Sequence, residues 1–173
     1  KAAMLRAGRY YLLHENANPG VSERELIDTA IHSMGLRDVG SFDPATRVIE
    51  YAIGGDGPLV SMSTREFVDT LASSAPTPGG GSVASLCGAM SSALSAMVGS
   101  LTHGKKGFED QFEAQCANSE RAQSLKDAFL DDIDNDTAAF NAIMAAMKLP
   151  KQSAAEKQAR SNAITEATRL AIE

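Results

Sequence analysis

Apolar positions recur at helical spacing along most of the chain. Residues 1–14 place Met4, Leu5, Tyr11, Leu12 and Leu13 in a helical rhythm, and turn residues at 16–20 close the segment. Ser22 followed by Glu25 has the form of a capping box and predicts a second helix over residues 23–34, stopped by Gly35. Residues 47–53 depart from the rhythm: they are rich in β-formers and predict a strand, after which Gly54-Gly55-Asp56-Gly57-Pro58 reads as a linker. Beyond it, Ser63 or Thr64 caps a short helix through residue 71 with Phe67, Val68 and Leu71 on its apolar side. A long helix follows over 83–101, then a helical pattern over 109–149, continuous or broken near Asn118 and ended by Leu149-Pro150. Ser153 with Glu156 caps a last helix over 154–172. The pattern predicts a mainly α protein, a helical bundle, in three stretches: 1–53, a linker at 54–61, and 62–173.

The helix over 83–101 differs from the others in lacking any charge. Ala84, Gly88, Ser92, Ala96 and Ser100 recur every fourth residue, and small side chains at that spacing let a second helix backbone come close. The expectation is the centre of a helical core that also carries a subunit contact, making the protein a homo-oligomer through the helix around residues 84–100. Residues 70–104 hold no Asp, Glu, Lys or Arg, which raises the question of a membrane span. Ser82, Ser85, Ser91, Ser92, Ser95 and Ser100 dilute the hydrophobicity, so the reading is a buried helix and no membrane span.

Composition narrows the partners. The 173 residues carry a formal net charge of -6, which argues against nucleic acid as a bulk partner because phosphate binding needs a basic surface. Cys87 and Cys116 have no paired spacing and no metal-ligand neighbours, which fits a reduced, cytoplasmic protein, and no zinc-ligand spacing is present. The chain starts at Lys1 and stops within a helical pattern, so both ends read as cut.

Candidate chemistry centres on two places. In Pro76-Thr77-Pro78-Gly79-Gly80-Gly81-Ser82, three bare peptide units lead into a helix N-terminus, where unpaired N–H groups and the macrodipole favour an anion or polar ligand; a hinge ending in a serine N-cap is the plainer alternative. Nucleotide loops are excluded: no Lys-Ser/Thr follows the glycines, and prolines disrupt the preceding segment. The second place is Asp136. Phe129, Ile133, Phe140 and Ile143 flank it at helical intervals, so its carboxylate projects from the apolar stripe and must be paired, sit in a polar cleft, or give up its charge, unless it lies at the rim in water like Asp131 and Asp134. Lys105 and Lys106 follow the long helix as a cationic C-terminal cap or a handle for a ligand carboxylate, and His103 beside them is a cap or an acid–base group.

Five blocks together resemble the formimidoyltetrahydrofolate cyclodeaminase family: 75–82 (Ala-Pro-Thr-Pro-Gly-Gly-Gly-Ser), 92–98 with Leu101-Thr102, Gly104-Lys105-Lys106, Asp134-Asn135-Asp136-Thr137-Ala138-Ala139-Phe140, and Leu149-Pro150-Lys151. The resemblance covers residues 62–173. Upstream, Ser41-Phe42-Asp43-Pro44 and Val48-Ile49-Glu50-Tyr51 resemble the tail of a glutamate formimidoyltransferase domain. The resemblance implies a truncated, all-helical cyclodeaminase-like bundle preceded by a short α/β tail, from an oligomeric bifunctional enzyme of histidine degradation. It implies release of ammonia from 5-formimidoyltetrahydrofolate with closure to 5,10-methenyltetrahydrofolate, polyglutamylated tetrahydrofolate as substrate and carrier, and no metal. The family's catalytic aspartate falls on Asp136, its glycine motif on Gly79, Gly80, Gly81 and Ser82, and its basic turn on Lys105 and Lys106 as substrate contacts. The transferase's catalytic residues and the second half of the cyclodeaminase domain fall outside the chain, so the piece alone is expected to lack transferase activity. The alternative is a helical oligomerisation module without its own catalysis.

Overall fold

A computed structural model of the chain describes residues 1–54 and 57–172; Gly55, Asp56 and Glu173, and with them the middle of the expected linker, lie outside the described residues. Among the described residues every regular element is helical: α1 (Ala2–His14), α2 (Glu23–Ser33), α3 (Pro44–Arg47), α4 (Ile49–Ile53), α5 (Thr64–Leu71), α6 (Gly80–Thr102), α7 (Phe112–Met147) and α8 (Ala154–Leu170), with a 3-10 turn at Glu109–Gln111. The mainly α class is therefore as the pattern predicted.

The strand expected over 47–53, and with it the α/β tail, is not formed. Asp43 accepts from the Ala45 N–H at 3.1 Å and Pro44 takes the first helical position, which starts α3. Val48 breaks the turn with extended dihedrals, and α4 then closes through Ala52 N–H to Val48 O and Gly54 N–H to Glu50 O. With no partner strand among the described residues, local bonds satisfy this backbone better than an unpaired edge.

The chain forms two compact units: Lys1–Gly55 with Gly88–Ala128, and Asp56–Cys87 with Phe129–Glu173. In the first, Gly8 of α1 meets the α2 backbone, where a Cβ would stand 2.0 Å from Leu26 O. Ile27, Ala30 and Ile31 of α2 are buried. Ser119 of α7 is fully buried, accepts from Asn18 Nδ2 at 3.1 Å, and lies so near Gly99 of α6 that a Cβ there would be 2.0 Å from its Oγ.

In the second unit Leu59, Phe67 and Ile133 form the core, with Val60, Met62, Val83, Leu86 and Leu130 packed around them. Ser63 rather than Thr64 caps α5, in a full capping box with Glu66, and Ser153 and Glu156 make the same box on α8. α7 runs unbroken through Asn118.

The small-residue face of α6 is shifted from the one predicted. Ser82, Ala89, Ser92 and Ala96 are buried, whereas Ala84 and Ser100 are exposed, so the buried stripe alternates steps of three and four instead of repeating every fourth residue. Its large residues point elsewhere: Met90, Leu94, Met97, Val98 and Leu101 are all about half exposed or more. By length and composition α6 is long and apolar enough to cross a membrane.

Candidate active site

The second unit brings the glycine run and Asp136 together. Ser82 sits in the first turn of α6, not before it, and is fully buried. Its backbone N–H donates to Asp136 Oδ2 at 2.9 Å, and its hydroxyl lies 2.9 Å from the same oxygen and 2.9 Å from Ile133 O. Thr137 Oγ1 lies 3.3 Å from that hydroxyl. The anion seated on the helix N-terminus is therefore the protein's own carboxylate, where the free N–H and the positive end of the dipole favour it.

That seat explains one of the glycines. A Cβ at Gly81 would stand 2.0 Å from Asp136 Oδ1 and 2.8 Å from Oδ2, so only a bare peptide admits the carboxylate. Gly79 and Gly80 have open space where a Cβ would point. Ser82, expected as the helix cap, lies inside α6 instead, and its side chain is fully buried against α7.

Asp136 is half-buried and lines a cleft of about 760 Å³ together with Gly81, Ser85, Asp132, Asn135 and Phe140, closed on one side by Ala167, Leu170 and Ala171 at the end of α8. Oδ2 is held by Ser82, while Oδ1 takes no hydrogen bond among the described residues. One oxygen thus fixes the group on the first turn of α6. Phe140 is among the residues that helix phase sets beside Asp136; Asp132 was not singled out from the sequence, although its offset of four residues puts it on the same face of α7.

Asp134 does not lie at the rim in water. Oδ1 accepts from the Leu59 N–H at 2.9 Å and Oδ2 from the Val60 N–H at 3.1 Å, so it ties the turn ahead of α5 to α7. Lys105 and Lys106 lie in the first unit, exposed in the turn after α6, between Gly104 (φ 72) and Gly107 (φ 90), whose left-handed conformations suit glycine. Neither lysine enters an ion pair among the described residues. In the same unit His103 Nε2 donates to Asn16 O at 2.8 Å and its ring packs 4.8 Å from Phe112, which makes it a fastening for the loop after α1. No three His, Cys, Asp or Glu side chains converge as a metal site among the described residues.

The family profile described as "Formiminotransferase-cyclodeaminase" matches residues 63–173, and the one described as "Formiminotransferase domain" matches residues 1–54. A Rattus norvegicus protein named formimidoyltransferase-cyclodeaminase is 34% identical over 175 residues, covering 98% of this chain and 32% of its own length. Its Dictyostelium discoideum namesake is 43% identical over 111 residues, covering 62% of this chain and 20% of its own. A Methylorubrum extorquens protein named methenyltetrahydrofolate cyclohydrolase is 43% identical over 107 residues, covering 62% of this chain and 51% of its own. The chain thus spans about a third of the rat relative's length.

Proposed function

Because the chain belongs to the formiminotransferase-cyclodeaminase family, we propose that it serves as an ammonia-lyase on folate, converting 5-formimidoyltetrahydrofolate to 5,10-methenyltetrahydrofolate and ammonia. It does so as part of a bifunctional enzyme that also transfers the formimidoyl group from N-formimidoylglutamate to tetrahydrofolate in histidine degradation, in the cytoplasm. The observation that carries the reading is the Asp136 carboxylate, held through one oxygen on the α6 N-terminus and set in an open cleft.

The chemistry asks for one group that takes a proton and gives it back. N10 of the folate adds to the carbon of the N5 formimidoyl group, whose imino nitrogen is protonated, forming a tetrahedral centre that bears an amino group. Asp136 takes the proton from N10 and returns it to that amine. The amine departs as ammonia, and a nitrogen lone pair closes the methenyl bridge, so charge and atoms balance. Gly79, Gly80 and Gly81 shape the approach to the site. Lys105 and Lys106 meet carboxylates of the polyglutamate tail.

Assembly belongs to the same proposal. The exposed stripe of Met90, Leu94, Met97, Val98 and Leu101 is the face of α6 offered to a second copy, since large apolar patches on a soluble surface mark contacts. Leu94→Glu in the full-length protein should lower the mass read by light scattering; an unchanged mass sets that face aside.

A second reading has its own support in the cyclohydrolase relative. There water, not N10, delivers the tetrahedral centre, and 5,10-methenyltetrahydrofolate is consumed. One assay separates the readings: full-length protein given 5-formimidoyltetrahydrofolate is followed for methenyl absorbance and for ammonia. Equimolar appearance of both supports the cyclodeaminase. Loss of added methenyltetrahydrofolate without ammonia supports the cyclohydrolase. Neither activity, with assembly intact, leaves the oligomerisation module.

A further inference from the structure

The surroundings of the Ser82 hydroxyl contain more acceptors than it can serve. It has one hydrogen, yet it stands 2.9 Å from Asp136 Oδ2 and 2.9 Å from the Ile133 carbonyl, which can only accept. The side chain is fully buried, so water cannot take over either role. The Ser82 N–H is different: it is fixed in direction by the α6 backbone and donates to Oδ2 whatever the hydroxyl does.

A charged carboxylate and a neutral carboxylic acid make different demands on that one hydrogen. While Asp136 is charged, Oδ2 is the stronger acceptor, and a bond to an ionised oxygen is about twice as strong as a neutral one. Once a proton sits on Oδ1, Oδ2 becomes an ordinary carbonyl oxygen, and the Ile133 carbonyl competes on even terms. Turning the hydroxyl from one to the other moves no heavy atom. Thr137 Oγ1, at 3.3 Å, can donate to the Ser82 oxygen in either orientation.

We infer that Ser82 is a positioning residue for the proton carrier: its hydroxyl donates to Asp136 Oδ2 while the carboxylate is charged and turns to the Ile133 carbonyl when the carboxylate has taken up a proton. The inference rests on the proposed role of Asp136. It differs from a packing role because the hydroxyl matters only where Asp136 changes charge. Removing it leaves the charged state one donor short, which slows the step that re-forms the carboxylate, the return of the proton from Asp136 to the departing amine, and leaves folate binding alone.

The test uses the full-length protein with 5-formimidoyltetrahydrofolate, comparing Ser82→Ala, Ser82→Cys, Asp136→Asn and the Ser82→Ala/Asp136→Asn double variant. Ser82→Ala should lower kcat about 10- to 100-fold, the span set by one hydrogen bond to a charged group, with KM little changed. If Ser82→Ala melts too low to assay, Ser82→Cys fills the same space with a poor donor and carries the same expectation. In the Asp136→Asn background Ser82→Ala should cost little more, because its effect passes through the carboxylate. A kcat near wild type for both serine variants, beside a crippled Asp136→Asn, overturns the inference and leaves the role of Asp136 standing. An equal loss in both backgrounds also overturns it, since that marks a structural serine. Full turnover by Asp136→Asn removes the proposed role of Asp136, and the inference with it.

Discussion

Gly81 and Asp136 are placed so closely that no side chain fits between them: a Cβ on Gly81 would stand 2.0 Å from Asp136 Oδ1. Gly81→Ala should therefore push the carboxylate off its seat while the helix itself tolerates the alanine. A displacement of about 1 Å in a reacting group costs on the order of 100-fold in rate, so cyclodeaminase turnover should fall by about that much with a small change in melting temperature. Steady-state kinetics beside a thermal melt reads both quantities, and normal turnover would show that the carboxylate does not need this seat.

Asp134 and Asp136 are neighbours with separate tasks. Asp134→Ala leaves the Leu59 and Val60 N–H groups without their acceptor in a part-buried turn, and should destabilise the fold by about 1–3 kcal/mol. Turnover per folded molecule should stay near wild type. Denaturant unfolding combined with active-site titration checks it; a loss of turnover without a loss of stability would place Asp134 in the chemistry instead.

Much of the helical layout was legible because caps and breakers are local signals. Ser63, Ser153 and Gly35 stop or start helices by bonds that reach only a few residues. The strand over 47–53 was misread because β-propensity registers a preference for a half-buried sheet, and the partner that would realise it is missing from the described residues. Helix phase put Asp136 on the apolar stripe correctly, and it did not show that the glycine run was its partner. That pairing joins residues 54 positions apart, and nothing in local spacing encodes it. The same limit hid Asp134, whose partners lie 74 and 75 positions away.

The two capping boxes give the fold an acid-sensitive component. Ser63 hydrogen bonds, first through its hydroxyl and then through its backbone N–H, hold Glu66 below the usual 4.5; the backbone N–H groups of Ser153 and then Gln152 do the same for Glu156. A carboxylate lowered on folding contributes stability that is present above its unfolded value and lost as pH falls through the lower folded one. Melting temperature should therefore drop as pH falls below about 4.5, and the double variant Glu66→Gln/Glu156→Gln should show a flatter slope in that window. An identical slope would place the acid sensitivity elsewhere.

The exposed lysine pair offers a test of ligand length. Lys105→Ala with Lys106→Ala should weaken polyglutamylated folate more than monoglutamate, because only the longer tail brings extra carboxylates. The difference should shrink as salt is raised, since contacts between exposed charges are screened within about 10 Å at 0.1 M ionic strength. Equal losses for both ligands in a binding titration would move the lysines away from the tail.

The role given to Asp136 is tested most directly by Asp136→Asn in the full-length protein, with both activities assayed on one preparation. The amide is nearly isosteric and keeps an oxygen for the Ser82 N–H, so folding and transferase activity should persist. Cyclodeaminase turnover should fall by roughly 100-fold or more, the scale for losing a general acid or base, with substrate affinity changed much less. Near-normal conversion of 5-formimidoyltetrahydrofolate by that variant would contradict the account and leave Asp136 as a structural acid on the α6 N-terminus.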